Sequence, residues 1–143
     1  MDNMYYECTV RYDQTQETGL VKKVSEKYLV EAMCFTEAET RITEEMRQYV
    51  SGEFDITAIK RVQLAEIFES KQGAADHWFR AKLAYITLDE KTGKEKRTPA
   101  VFMVKAVDFD DARNVIEENM KGTLGDWVNV QLSETPVMDL IKR

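Results

Sequence analysis

The chain has 143 residues, of which 43% are hydrophobic and 32% are charged, and its formal net charge is -6. This length suits a single domain, and a normal apolar content with charges of mixed sign argues against a disordered chain. The negative charge disfavours broad binding to nucleic-acid phosphates, which depends on clustered Lys and Arg. No basic segment precedes an apolar run at the N-terminus, and no stretch reaches the length of a membrane span. We therefore expect a folded cytoplasmic protein with no membrane partner.

One stretch of the first half is repeated in the second half. Residues 28–46 read YLVEAMCFTEAETRITEEM and residues 102–120 read FMVKAVDFDDARNVIEENM, with seven of nineteen positions identical. About one identity is expected from ordinary amino-acid usage. The chain is therefore a tandem duplication. We predict a single domain, 1–143, built from repeat one at 1–69, a polar linker at 70–76 and repeat two at 77–143.

Each repeat begins with a predicted β-hairpin. Its turn is Thr18-Gly19 in repeat one and Thr92-Gly93 in repeat two. Apolar side chains alternate with polar ones along both first strands, which is typical of half-buried strands. These side chains are Tyr6, Cys8, Val10 and Tyr12 in repeat one, and Phe79, Ala81, Leu83 and Tyr85 in repeat two. Cys8 and Cys34 are expected to be free, buried thiols, although the hairpin also permits a disulfide between them.

A predicted helix follows each hairpin. Thr36 and Glu39 form a capping box at the start of the first helix, and Asp110 takes the place of Thr36 in the second. Gly122 offers a left-handed stop for the second helix, and Gly52 offers a stop for the first. Both helices carry an apolar stripe at helical spacing, which we expect to face a sheet.

A third strand completes each repeat. It is predicted over residues 56–68 in repeat one, and around Val128, Val130 and Leu132 in repeat two, with VQLAE at 62–66 aligned to VQLSE at 130–134. A hairpin followed by a helical crossover gives the strand order 2-1-3. The predicted fold class is α+β: a tandem duplication of a β-β-α-β unit with mostly antiparallel sheet, one helix per repeat and pseudo-two-fold symmetry.

No catalytic residue, cofactor or metal site is predicted. The lone His77 lacks a positioned partner and suits the surface. Asp108, Asp110 and Asp111 suit helix capping better than a cation site, since the glycine and spaced carboxylates of a calcium loop are missing. The sequence contains no phosphate loop, CxxC or nucleophile elbow. An enzyme is not favoured, and its site would have to be assembled across the repeats.

Candidate binding residues lie on the two hairpins and the last strand. Projecting basic hairpins can bind nucleic acid, but lysines on strand edges also discourage aggregation. If Trp127 lies on the opposite face to Val128 and Val130, it occupies an exposed face or an interface. The predicted partner-binding or nucleic-acid-binding residues are Lys22, Lys23, Lys91, Lys94, Lys96, Arg97 and Trp127.

Short motifs recur in both repeats: YYE and WFR at strand starts, FTEAE and FDDAR at helix starts, and VQLAE and VQLSE in the third strands. Through these motifs the sequence resembles a family of small proteins of unknown function from anaerobic gut bacteria and their phages or mobile elements. The resemblance covers nearly the whole chain. It implies a cytoplasmic accessory protein and assigns no functional residue.

The leading functional hypothesis is a non-enzymatic interaction module that binds a protein partner through open strand edges or the apolar tail, residues 137–141. The alternatives are nucleic-acid binding through the hairpins, acidic mimicry of nucleic acid by the negatively charged helices, and an enzyme with a site at the repeat interface. Open strand edges would also suit a homodimer.

Overall fold

The structure is a computed structural model that describes residues 4–143. Within these residues two helices and eight strands follow one another along the chain. They are β1 (Tyr5–Thr15), β2 (Val21–Glu31), α1 (Phe35–Tyr49), β3 (Phe54–Val62), β4 (Glu66–Glu69), β5 (His77–Leu88), β6 (Glu95–Ala106), α2 (Phe109–Met120), β7 (Asp126–Glu134) and β8 (Val137–Ile141). The predicted α+β fold with one helix per half is confirmed, and both predicted hairpins are present.

The chain divides into two compact units, each with one helix and one four-stranded sheet. Unit one contains the residues up to Gln63 and those from Pro136 onward, and unit two runs from Leu64 to Thr135. The strand order is β3-β1-β2-β8 in unit one and β7-β5-β6-β4 in unit two. The predicted order 2-1-3 within each repeat is therefore confirmed. The grouping of both repeats into one domain stays a prediction.

The fourth strand of each sheet comes from the other repeat. β4 pairs in parallel with β6, where Phe68 lies opposite Val104, and β8 pairs in parallel with β2, where Ile141 lies opposite Val30. The prediction of one strand over residues 56–68 is wrong, because the strand ends at Val62 and β4 belongs to the other sheet. The apolar tail proposed as a docking segment is β8, which is already paired within the protein.

The pairing of β3 and β7 shows which residues of the two repeats are equivalent. Phe54 of β3 lies opposite Tyr12, and Trp127 of β7 lies opposite Tyr85. Tyr12 and Tyr85 occupy the same place in the two predicted first strands. Phe54 and Trp127 are therefore equivalent, and each packs against the core of its own unit.

Each of these third strands contains a bulge. The register of β3 skips Thr57, and the register of β7 skips Val130, so neither residue has one opposite it. The predicted alignment of residues 62–66 with 130–134 is wrong, because it matches the last residue of β3 with the bulged residue of β7. The shared letters therefore do not mark structurally equivalent positions.

Each sheet buries one face against its own helix, as the alternating strands and striped helices predict. Fully burying one large apolar side chain contributes about 1.5 to 3 kcal/mol. The buried cluster of unit one contains Tyr6, Cys8, Val10, Val30, Ala32, Ala38, Ile42 and Met46. The cluster of unit two contains Phe68, Phe79, Ala81, Leu83, Phe102, Val104, Ala106, Ala112, Val115, Ile116 and Met120.

The start of α1 differs from the prediction. The helix begins at Phe35 with Cys34 as its N-cap, so the predicted capping box over residues 36–39 is wrong because its first residue already lies inside the helix. The Glu37 carboxylate instead accepts a hydrogen bond from the Met33 backbone N–H at 2.9 Å. This bond is the main reason that the pKa of Glu37 is lowered. The helix ends at Tyr49, before the predicted stop at residue 52.

The start of α2 repeats this arrangement with a stronger cap. Asp108, not the predicted Asp110, is the N-cap, and its carboxylate accepts a hydrogen bond from the Asp111 N–H at 2.8 Å. Asp111 in turn accepts one from the Val107 N–H at 2.9 Å, as Glu37 does in α1. The acidic cluster therefore serves helix capping, as predicted. The chain leaves the helix through Gly122 at a φ of 82°, which agrees with the predicted left-handed stop.

Both cysteines are free, as expected, but only one is buried. Cys8 lies in the core of unit one, where burial raises the pKa of its thiol to about 12. Cys34 is exposed, so its predicted burial is wrong. The physical reason is its place as the N-cap of α1, beyond the end of β2.

Candidate functional site

The six basic residues predicted from the hairpins are all exposed, with acidic residues interspersed among them. Arg97 pairs with Glu95 at 3.3 Å, and Lys23 lies opposite Asp13 in the β1–β2 ladder. The positive charge of each hairpin is therefore largely balanced by its own neighbours. Lys22 and Lys23 lie in β2, Lys91 and Lys94 lie in the turn between β5 and β6, and Lys96 and Arg97 lie in β6.

Trp127, the seventh predicted residue, lies in a different setting. It is half-buried and packs against the core of unit two, opposite Tyr85. The bulge at Val130 shifts the register of β7, so that both Trp127 and Leu132 face α2, whereas Val128 lies opposite Ala84 on the other face. A strict period of two would have placed Val128 and Leu132 on one face.

A groove of about 410 Å³ lies between α2 and β7, within unit two. Its lining from α2 consists of Phe109, Arg113, Ile116 and Glu117, and its lining from β7 consists of Trp127 and residues 129–132. Of the predicted binding residues, only Trp127 belongs to this groove. The six hairpin residues do not line it.

The groove is open because a polar residue occupies an inward position of β7. Asn129 lies opposite Leu83, as Ile56 lies opposite Val10 in unit one. Ile56 packs against its core, whereas Asn129 is exposed and its side chain has no hydrogen-bond partner among the described residues. Burying an unpaired amide costs free energy, so Asn129 keeps this part of the sheet open to solvent.

The apolar walls of the groove are partly exposed. Phe109 and Phe79 form a T-shaped ring pair with 4.9 Å between centroids, yet Phe109 remains 45% exposed. The bulged Val130 is 52% exposed, while Ile116 is buried at the base. Exposed apolar side chains gathered around a concave site are typical of binding surfaces.

Polar groups with no partner of their own lie beside these walls. Arg113 and Glu117 are one turn apart on α2, and neither forms an ion pair within residues 4–143. Asn129 and Gln131 of β7 likewise make no side-chain hydrogen bond within that range. Each of these four side chains is exposed and is able to contact a ligand in the groove.

β7 also forms an edge of its sheet. It is nine residues long and contains no Lys, Arg or Pro, the residues that usually protect an exposed edge. The corresponding edge strand of unit one, β3, carries Lys60 and Arg61. The other two edge strands are short, with four residues in β4 and five in β8. Apart from its bulge, β7 is the least protected edge that the structure describes.

Comparison with known proteins gives a family. The sequence profile of a domain of unknown function, DUF4494, matches residues 4–143. The chain belongs to the DUF4494 family. No curated protein and no solved structure matches it. This agrees with the predicted membership of a family without an assigned activity.

The single histidine of the DUF4494 chain, His77, does not line the groove. His77 is half exposed at the start of β5, with Nε2 3.3 Å from Asp76 and Nδ1 3.5 Å from Glu134. Within residues 4–143, no group of three or more His, Cys, Asp or Glu side chains is arranged to hold a metal ion. None of the helices in that range is long and apolar enough to cross a membrane.

Sequence reasoning missed most of the DUF4494 groove because its lining depends on register. Arg113 and Glu117 belong to a helix face that resembles any solvated face. Two signals were available: Asn129 interrupts the apolar stretch from Trp127 to Val130, and β7 lacks the basic residues present in β3. Neither signal identifies a groove until the bulge at Val130 is known.

Proposed function

We propose that this DUF4494 protein is a non-enzymatic interaction module that binds an extended segment of a partner protein as an added strand on β7. The observation that carries the proposal is the edge of β7, the least protected that the structure describes, beside the groove lined by α2. An edge strand presents backbone N–H and C=O groups that pair with an added strand. The groove supplies the specificity that backbone pairing lacks.

Two features set the form of the bound segment. Successive side chains of an added strand point to opposite faces of the sheet, so only alternate residues of the partner reach the groove beside α2. Trp127 and Leu132 lie on either side of the bulged Val130 on that face. We expect one apolar side chain of the partner to occupy the space between them, in contact with Phe109.

The test is a selection from a displayed library of random nine-residue peptides against the immobilised full-length protein. Enriched peptides are then titrated into ¹⁵N-labelled protein. The proposal expects amide shifts concentrated in β7 and α2, and slower hydrogen exchange along β7. An absence of enrichment over blank resin, or shifts that lie elsewhere in the chain, would refute the proposal.

Matched variants test whether the peptide binds to β7 or to β3, the corresponding edge strand of unit one. Val130→Lys places a charged side chain at the bulge of β7, and Thr57→Lys makes the same change at the equivalent bulge of β3. We expect Val130→Lys to weaken binding of an enriched peptide by about tenfold, since edge lysines oppose strand pairing, and Thr57→Lys to leave it unchanged. Alternate N-methylation of the peptide should abolish binding. Equal effects of both substitutions would contradict the choice of edge.

The proposal includes a cytoplasmic location and an accessory role in anaerobic gut bacteria or their phages. The sequence resemblance supports both. Fractionation of producing cells tests the location, and recovery in the membrane or secreted fraction would contradict it.

A further inference from the structure

We infer that the segment bound on β7 is basic, with Lys or Arg on both sides of its apolar residue. This inference rests on the proposed function and adds the chemistry of the partner. It follows from the charges around the groove and at the two ends of β7.

Within the groove lining and β7 itself, the carboxylates outnumber the cations. Glu117 lines the groove, and Asp126 and Glu134 are the first and last residues of β7. Arg113 is the only cation in the groove lining within the described chain. Glu117 and Asp126 have no ion-pair partner in that range, while Glu134 has the His77 ring 3.5 Å away. A partner with positive charge would therefore meet a carboxylate at each end of the edge and one beside the groove.

The length of β7 fixes the spacing of these charges. Asp126 and Glu134 are eight residue steps apart, which is about 27 Å along a strand. A bound segment of about nine residues places its two ends beside them and its middle beside the groove. Opposite charges that face each other across a pair of strands strengthen pairing by about 1.5- to 5-fold each.

The equivalent edge of unit one carries the opposite charge at one of these ends. Arg61 of β3 lies opposite Tyr6, as Glu134 of β7 lies opposite Phe79. Lys60 adds a second positive charge beside Arg61. A basic segment would be repelled there, so the charges direct it to β7.

The peptide selection described above also tests this inference. Lys and Arg enriched on both sides of an apolar residue support it. Enriched peptides that shift β7 but are neutral or acidic overturn the inference and leave the proposed function standing. An absence of enriched peptides overturns the proposed function, and the inference falls with it.

Charge reversal on the protein gives a second test with the best basic peptide as the probe. Glu117→Lys should weaken binding by about 5-fold, with the effect reduced at high salt. Glu118→Lys is the matched control: it changes the net charge equally, but residue 118 points about 100° away along α2 and does not line the groove. Arg113→Glu should strengthen binding. Equal losses from both lysine substitutions, or tighter binding with Glu117→Lys, would overturn the inference.

Discussion

Replacing Asp111 with Asn removes a charge from the start of α2 and leaves the size of the side chain unchanged. Asp111 is 8% exposed and is the one buried charged residue that the structure describes. Its Oδ2 accepts a hydrogen bond from the Val107 N–H at 2.9 Å, and its Oδ1 accepts one from Gln72 Nε2 at 2.7 Å. An Asn side chain has one acceptor oxygen, so only one of these two donors keeps a bond to an acceptor at residue 111.

The expected loss of stability follows from the number of hydrogen bonds that residue 111 accepts. A hydrogen bond to a charged group contributes about 1.5 to 3 kcal/mol, and a carboxylate at a helix N-terminus adds about 0.3 to 1 kcal/mol. Because the amide retains one of the two bonds, we expect Asp111→Asn to lower the free energy of unfolding by about 2 kcal/mol. For a unit of this size, that corresponds to a fall in Tm of about 8 to 16 °C.

The loss should depend on pH. The pKa of Asp111 is lowered in the folded protein, chiefly by the Val107 N–H, so the carboxylate stabilises the fold at any pH above its unfolded pKa. This contribution disappears as the pH falls through the folded pKa. The difference between wild type and Asp111→Asn should be constant between about pH 6 and 8 and should shrink below about pH 4.

The assay is urea unfolding followed by tryptophan fluorescence. The chain has two tryptophans, Trp78 and Trp127, and both lie in unit two with Asp111. Glu37→Gln is the matched change at the start of α1, where the carboxylate is more exposed, and its effect should be smaller. An Asp111→Asn protein as stable as wild type at pH 7, or a loss that is unchanged at pH 3, would refute the reasoning.

Two further predictions concern the cap and the thiols. Asp108→Ala should destabilise the protein by about 1 kcal/mol in the same urea assay, whereas Asp110→Ala should have little effect. A larger loss from Asp110→Ala than from Asp108→Ala would show that Asp110 is the N-cap, as the sequence predicted. Cys34 should react with Ellman's reagent in the native protein, whereas Cys8 should react only on unfolding, because it is buried and its thiol pKa is raised to about 12. Two fast-reacting thiols would contradict the buried position of Cys8.

Patterns that depend on neighbouring residues predicted the fold well. The alternation from Tyr6 to Tyr12 and the helical spacing of Ala38, Ile42 and Met46 identify buried faces directly, because a strand and a helix repeat with fixed periods. The cap of α1 was misplaced because Thr36 has the preferred side chain, whereas Cys34 has the extended backbone that precedes the helix. Backbone geometry of this kind is not visible in residue type.

The candidate site was less predictable because one extra residue reverses the faces of a strand. Without a bulge, Trp127 and Asn129 would lie on the face opposite Leu132. The bulge at Val130 brings all three to the α2 side and opens the groove between them. Thr57 makes a bulge at the same place in β3, but Ile56 fills the position that Asn129 leaves open. The site therefore combines a feature that both repeats share with one polar substitution.

The exchange of the fourth strands has a simpler cause, which is the reach of the chain. Val62 and Glu66 are four steps apart and can span at most about 14 Å. A strand paired with the free edge of β2 lies three strand spacings from β3, also about 14 Å away across the sheet. To pair with β2, β4 would also have to begin several residues before the point where β2 ends. The path from Val62 to that starting point is longer than the connection between Val62 and Glu66 can span. β4 pairs with β6 instead, and the edge of β2 is left for β8.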